Sequence, residues 1–268
     1  MSAPPRILAI AGSDSSGGAG IQADIKTVTM LGGYAMTAIT AVTAQNTRGV
    51  DAVEVLSADV VAAQIDACLS DIGADAVKIG MLGSPGIARA VAEMLDSFAG
   101  AIVFDPVMVA TSGSVLADEE TVAAFEALMG ITTVVTPNLP ELAALTDIPV
   151  DDEDAVIEAA HRLAKQHDVA VLAKGGHGDG ERVVDRLVYP GGEFASFDDA
   201  RIDTRHTHGT GCTLSSALAT LLGHGQSLEH AVRLARRYVR GAILAAPGFG
   251  EGAGPLGHGA ALRSENAG

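Results

Sequence analysis

The stretch His208-Gly209-Thr210-Gly211-Cys212-Thr213 has the residue types and spacing to bind a negatively charged group. Two glycines flank a threonine just before a long apolar run, Leu214 to Leu222, that reads as a helix. Backbone N–H groups point outward at a helix N-terminus, and the dipole adds about half a positive charge there. A cysteine closes the turn, and a thiol so placed is expected to have a depressed pKa and to act as base or nucleophile. A buried helix cap with a small packed cysteine would use the same residues. The polar segment Arg201–Arg205 ahead of the turn has strand character.

Further chemistry-bearing residues follow apolar runs elsewhere. Gly12-Ser13-Asp14-Ser15-Ser16-Gly17-Gly18-Ala19-Gly20 sits between a strand and a helix, and its glycines let backbone approach a small ligand. A dinucleotide site would need GxGxxG there, and a P-loop would need GxxxxGK[ST]; neither pattern occurs. Asp24 lies four residues past Gly20, where the helix dipole favours an acidic residue in any case. Gln45 ends another strand, and its amide offers a donor beside an acceptor, matching an aminopyrimidine edge; a turn-forming amide is the alternative. Asp105 closes a strand, a good position for a magnesium ligand. Asn138 and Glu141 are three apart, so both could face a metal–phosphate group, or form a helix cap instead. Lys174-Gly175-Gly176-His177-Gly178 pairs a phosphate-binding point charge with glycines, although a solvated lysine before a turn reads the same way. His177 and His208 beside these glycine turns could be ligands, although histidines so placed are more often simple polar loop residues. Taken together, an acceptor pocket, a carboxylate region, a phosphate lysine and an anion hole with a base are the equipment of phosphoryl transfer.

The elements that must position these residues alternate along the chain. Strands are expected at Ile7–Ala11, Ala35–Ala44, Ala76–Ile79, Ala101–Phe104, Thr133–Thr136, Ala170–Lys174 and Val183–Tyr189. Helices are expected at Ile21–Leu31, Ala58–Ile72, Pro85–Phe98, Asp118–Met129, Leu139–Leu145, Glu153–His167, Thr213–Leu222 and Leu228–Ala245. Such alternation implies βαβ units, a mostly parallel sheet and helices on both faces, with ligands beyond the carboxyl ends of the strands. The polar and glycine-rich strand ends would then converge on one edge. A chain of 268 residues, 48% hydrophobic with six Phe, three Tyr and no Trp, fills such a core with aliphatic side chains. Without linker, charge block or repeat, residues 1–268 read as one domain, with about 1–5 and 259–268 as flexible tails. A net charge of −16 argues against nucleic acid or an anionic membrane as partner. Two cysteines without CxxC spacing, no apolar run of spanning length and no signal-like start suggest a cytoplasmic protein.

The stretches AGSDSSGGAGIQADIKT (Ala11–Thr27), TAVTAQNT (Thr40–Thr47), KIGML (Lys78–Leu82), DPVMVATSG (Asp105–Gly113), TPNLPE (Thr136–Glu141), KGGH (Lys174–His177) and HGTGCT (His208–Thr213) resemble the ribokinase-like superfamily. Within it they are most similar to the hydroxymethylpyrimidine/phosphomethylpyrimidine kinases of thiamine biosynthesis, over Ile7 to about His258. The resemblance implies an α/β fold, the ribokinase-like three-layer α/β/α domain with a mostly parallel central sheet. It implies ATP and Mg2+ as cofactors, an aminopyrimidine substrate and a homodimer. Gln45 would bind the aminopyrimidine and Asp24 the substrate's polar substituents, with Gly12, Ala19, Met81 and Val107 lining an apolar slot. Asp105 and Glu141, with Asn138, would organise Mg2+ and the phosphates, and Lys174 would bind the nucleotide. Gly209, Thr210 and Gly211 would form the anion hole, with Cys212 as base. The family's Ala-Lys-x-aromatic stretch reads Ala235-Arg236-Arg237-Tyr238 here, so Arg236 would take the phosphate role with a planar guanidinium in place of an ammonium. The segment around Thr111-Ser112-Gly113-Ser114 is the expected moving part. Pyridoxal kinase, sugar kinase, dehydrogenase and non-catalytic binding protein are the competing readings.

Overall fold

The structure is a computed structural model that describes residues 3–109, 116–177 and 180–260. The Thr111–Ser114 segment, Gly178 and the last residues of the chain lie outside the described residues. The element order is β1 (Arg6–Asp14), α1 (Gly20–Met30), β2 (Tyr34–Gln45), β3 (Val50–Val55), α2 (Ala58–Asp71), β4 (Ala76–Ile79), α3 (Pro85–Leu95), β5 (Ala101–Phe104) and α4 (Glu119–Met129). There follow β6 (Val134–Val135), α5 (Leu139–Thr146), α6 (Glu153–His167), β7 (Ala170–Ala173), β8 (Arg182–Val188), β9 (Phe194–Ala200), α7 (Thr210–Gly223) and α8 (Leu228–Leu244).

The strands form one nine-stranded sheet in the order β3-β2-β1-β4-β5-β6-β7-β8-β9. β2, β1, β4, β5, β6 and β7 run parallel, while β3 and the β8–β9 pair add antiparallel strands at the two edges. Successive side chains on a strand face opposite sides. Leu8 and Ile10 therefore enter one core with α2 to α6, and Ile7 enters the other with α1, α7 and α8. The three-layer α/β/α arrangement follows. Helix starts carry their own signals: Ser84 caps α3 by accepting from the Ile87 N–H, ahead of Pro85 at the first helical position. Among the described residues no helix is long and apolar enough to cross a membrane.

All seven expected strands and eight expected helices are present, with ends shifted by a few residues. Two strands were not expected. β3 is exposed along nearly its whole length, so it carries no buried period to read. The strand character assigned to Arg201–Arg205 is corrected: those residues hold no strand, and the strand precedes them as β9.

The topology brings the carboxyl ends of six parallel strands to one edge. Asp14, Gln45, Gly80, Asp105, Asn138 and Lys174 all lie at those ends or just beyond.

Candidate active site

The turn expected to bind an anion forms where α7 begins. Gly209 is the N-cap at φ 85°, and no side chain caps the helix. Its left-handed backbone suits glycine, and so does its surroundings, because a Cβ there would lie 1.9 Å from the Gly18 carbonyl oxygen. Gly18 is constrained reciprocally, since a Cβ on it would lie 2.3 Å from His208 Cδ2. The turn and the loop before α1 therefore pack backbone against backbone. Thr210, Gly211 and Cys212 supply the first turn of α7, the positive end of its dipole.

Asp14 organises that loop. Its carboxylate accepts from the N–H groups of Ser16 (2.8 Å), Gly18 (3.0 Å) and Ala19 (2.8 Å), and lies 2.8 Å from His208 Nε2. Burial alone would raise its pKa, but hydrogen bonds from His208, Ser16 and Ala19 outweigh this and hold it down at about 2. His208 thus bridges to Asp14 rather than standing as a simple loop residue. An aspartate at a strand end followed by Ser and Gly is a turn-forming signal, but its partner 194 residues away carries none. Gln45 is adjacent: its Oε1 lies 3.1 Å from the Thr43 hydroxyl and its Nε2 3.5 Å from His208 Nε2. Gly12 and Met81 meet, since a Cβ on Gly12 would lie 3.0 Å from the Met81 sulfur. Ala19 and Val107 are partly exposed at the same edge.

A second cluster forms around Lys174. Its Nζ donates to Asp105 Oδ1 at 2.6 Å and lies 3.9 Å from Glu141 Oε2. Lys174 is therefore a largely covered, paired lysine with 13% of its side chain exposed, not the solvated one a turn alone would suggest. Burial would lower its pKa, but Asp105 and Glu141 reverse that and raise it. Asn138 and Glu141 form a capping box on α5, each accepting from the other's backbone N–H at 2.8 Å. Burial pushes Glu141 up and Lys174 draws it back; with Asp105 adding repulsion, its carboxyl stands at about 7. A Cβ on Gly211 would lie 3.4 Å from Asp105 Oδ2 and 3.5 Å from Lys174 Nζ, so the anion turn converges with this cluster.

The donor set suits magnesium brought in with phosphate oxygens. Mg2+ uses one or two carboxylates plus phosphate and water. Asp105 and Glu141 already converge on one cation, the Lys174 ammonium, and among the described residues no group of three or more side chains could cage a metal.

Three sequence expectations are corrected. The Cys212 thiol is pushed up to about 11, not depressed: burial dominates, Asp24 and Asp105 add to it, and Lys78 with the Gly20 N–H only partly offset it. Asp24 faces no open space; it is fully buried, its oxygens 3.0 and 2.9 Å from Lys78 Nζ, with Ser216 Oγ donating at 2.7 Å. Arg236 is also internal. It pairs with Asp185 and with Asp199 at 2.7 Å, and Asp185 accepts from the Gly175 N–H at 2.7 Å, so Arg236 braces the glycine turn after Lys174. The Arg236 guanidinium is thus committed to two carboxylates rather than standing free at the sheet's carboxyl edge.

A doubly wound sheet whose carboxyl edge carries a glycine-bounded anion turn beside a lysine–carboxylate cluster defines a kinase of the ribokinase-like fold. The profile of the phosphomethylpyrimidine kinase family matches residues 14–257, and the chain belongs to that family. It is 48% identical over 255 residues to the hydroxymethylpyrimidine/phosphomethylpyrimidine kinase of Rhizobium meliloti, covering 94% of this chain and 96% of that one. It spans 36% of a thiamine biosynthesis multifunctional protein of Corynebacterium efficiens, at 43% identity over 97% of this chain. Among solved structures it is similar to the pyridoxal kinase from Staphylococcus aureus in complex with AMP-PCP and pyridoxal (TM-score 0.89, 34% identity, 98% of this chain and 96% of that one). It is likewise similar to the phosphomethylpyrimidine kinase from Clostridium difficile (TM-score 0.79, 41% identity, 89% of this chain and 99% of that one).

Proposed function

We propose that the protein transfers the γ-phosphoryl group of ATP to the hydroxymethyl oxygen of 4-amino-5-hydroxymethyl-2-methylpyrimidine. A second ATP then phosphorylates the monophosphate to the diphosphate, in thiamine diphosphate biosynthesis. The observation that carries this reading is the convergence of the α7 first turn on Asp105 and Lys174, where a Cβ added to Gly211 would lie 3.4 Å from Asp105 Oδ2 and 3.5 Å from Lys174 Nζ, so that the helix N–H groups start beside a cation and a carboxylate.

In each transfer the acceptor oxygen forms a bond to the γ-phosphorus as the bond to the ADP oxygen breaks. The N–H groups of the α7 first turn and the Lys174 ammonium stabilise the charge on the phosphoryl oxygens, which is where such reactions gain most. Magnesium held by Asp105 and Glu141 would neutralise charge on the nucleotide phosphates. The Asn138 carbonyl oxygen is committed to the cap, which leaves its NH2 for phosphate. Gln45 reads the aminopyrimidine edge, and Gly12, Ala19, Met81 and Val107 flank the ring. Cys212 takes the hydroxyl proton in the first step. With the thiol at about 11 this base is mostly protonated at neutral pH, so the anion turn and the cations carry most of the acceleration. The second acceptor is already anionic and needs no strong base. We read residues 1–268 as one kinase domain acting as a homodimer, which light scattering checks.

The likeness to a pyridoxal kinase supports a second reading, with pyridoxal as acceptor. The test is coupled ADP release with Mg-ATP, offering the pyrimidine, its monophosphate, pyridoxal and ribose in parallel. Turnover of both pyrimidine compounds is expected. Turnover of pyridoxal alone moves the reading to the pyridine ring, and no turnover supports a binding protein. Gln45→Leu should lower pyrimidine turnover far more than any pyridoxal turnover, because the pyridine lacks the amino edge.

A further inference from the structure

Helix α7 enters the site between two lysine–aspartate pairs, each tied to it by a serine. Lys174 and Asp105 lie on one side, with Ser215 Oγ 3.3 Å from Asp105 Oδ2. On the other side Lys78 Nζ meets Asp24, and Ser216 Oγ donates to the same carboxylate at 2.7 Å. Residues four apart stack on one helix face, so Ser215 lies beneath Gly211 and Ser216 beneath Cys212. The first pair belongs to the proposed transfer, whereas the second reaches no solvent, both side chains being 0% exposed. Lys78 stands on the central strand β4, and the absent side chain of Gly80 makes room for its ammonium: a Cβ there would lie 2.7 Å from Nζ.

Stability does not call for such a pair. Removing two charges from water is costly for each ion, and well-packed apolar residues of similar volume often do as well or better. A cation under the cysteine, on the other hand, opposes the cost of placing negative charge there.

We propose that Lys78, held by Asp24 and Ser216, is a positioning residue for phosphoryl transfer, which sets the placement and charge environment of Cys212 and of the anion turn. This rests on the kinase reading for its effect on turnover. Among the charged groups acting on the Cys212 thiol, Lys78 is the strongest that favours its ionised form, against Asp24 and Asp105, and the Lys174 ammonium also attracts the thiolate. Its influence reaches the turn from below, without contact to substrate.

The decisive variant is Lys78→Met with Asp24→Leu in a Cys68→Ala background, where Cys212 is the one remaining thiol. Removing both charges together avoids stranding either, so the protein should unfold at or above the parental temperature. Its kcat should fall roughly 10- to 100-fold while KM for ATP stays near parental, the mark of lost placement rather than lost binding. Alkylation of Cys212 by iodoacetamide at a fixed alkaline pH should slow by roughly 2- to 5-fold, because the loss of Lys78, the larger influence on the thiol, outweighs the simultaneous loss of Asp24. A folded variant with parental kcat, or with parental alkylation, overturns the proposal. If the pair of substitutions prevents folding, Lys78→Gln with Asp24→Asn, which removes both charges but keeps a polar partner for the Ser216 hydroxyl, is read in the same two assays with the same deciding outcomes. Absence of pyrimidine turnover in the parent defeats the kinase reading but leaves the alkylation measurement to decide the role of Lys78.

Discussion

Gly209→Ala puts the geometry of the anion turn to a quantitative test. At φ 85° an alanine is strained by about 1–2 kcal/mol. Its Cβ would start 1.9 Å from the Gly18 carbonyl oxygen, which must retreat by about 1.5 Å to reach ordinary contact. Gly18 has little freedom to move: its N–H donates to Asp14 at 3.0 Å, and His208 closes its other side. Releasing it gives up at least one charge-assisted hydrogen bond, about 1.5–3 kcal/mol. Total destabilisation of about 3–5 kcal/mol follows, and displacement of the turn on this scale should cut kcat on the order of 10²-fold. Gly225→Ala supplies the comparison. Gly225 has φ 79° in the turn after α7, and a Cβ there meets nothing within 4 Å. It should lose the strain energy and keep its turnover. Calorimetric unfolding and coupled ADP release on both acceptors would be run on both variants. If Gly209→Ala behaves like Gly225→Ala, with a small stability loss and near-parental kcat, the close packing of the turn on the Gly17–Ala19 loop is not what shapes the anion hole.

Cys212→Ala should lower the first transfer by on the order of 10²–10³ and the second by less, read from separate turnover of the alcohol and of the monophosphate. Equal losses would show that the thiol is not chiefly a base. Asp14 is expected to mark the acid limb of stability. Its folded pKa of about 2 lies below the ordinary 3.8, so its stabilisation is complete above pH 4 and is lost as pH falls through 2. That contribution is about 2 kcal/mol, and Asp14→Asn should remove it, flattening the pH dependence of urea unfolding in that window. Arg236→Met strands Asp185 in the interior and should cost about 3–5 kcal/mol, while adding Asp185→Leu should recover most of it. If the single variant keeps its stability but loses ATP affinity, Arg236 is a nucleotide ligand after all.

How much of the site could be read from the chain depended on the range of the interactions. The capping box of Asn138 and Glu141 spans three residues and is written in the sequence; so are the glycines of the anion turn and the apolar runs of β1, β4 and β5. β3 escaped notice because Val50–Val55 is exposed and follows no burial pattern. The Asp14–His208 bridge spans 194 residues and the Lys78–Asp24 pair 54, and nothing local signals either.

Local chemistry therefore determined the elements, their order and the family's signature turns, because backbone preference and the alternation of apolar residues act over a few positions. Tertiary structure alone decided the charge states and the partners. Asp24 reads as a helix-start acid and Arg236 as a phosphate ligand until folding buries both against opposite charges. Cys212 has the helix N-terminus that should ionise it, yet removal from water and two nearby carboxylates push its thiol up to about 11. Desolvation belongs to the packed molecule, and no short stretch of chain contains it.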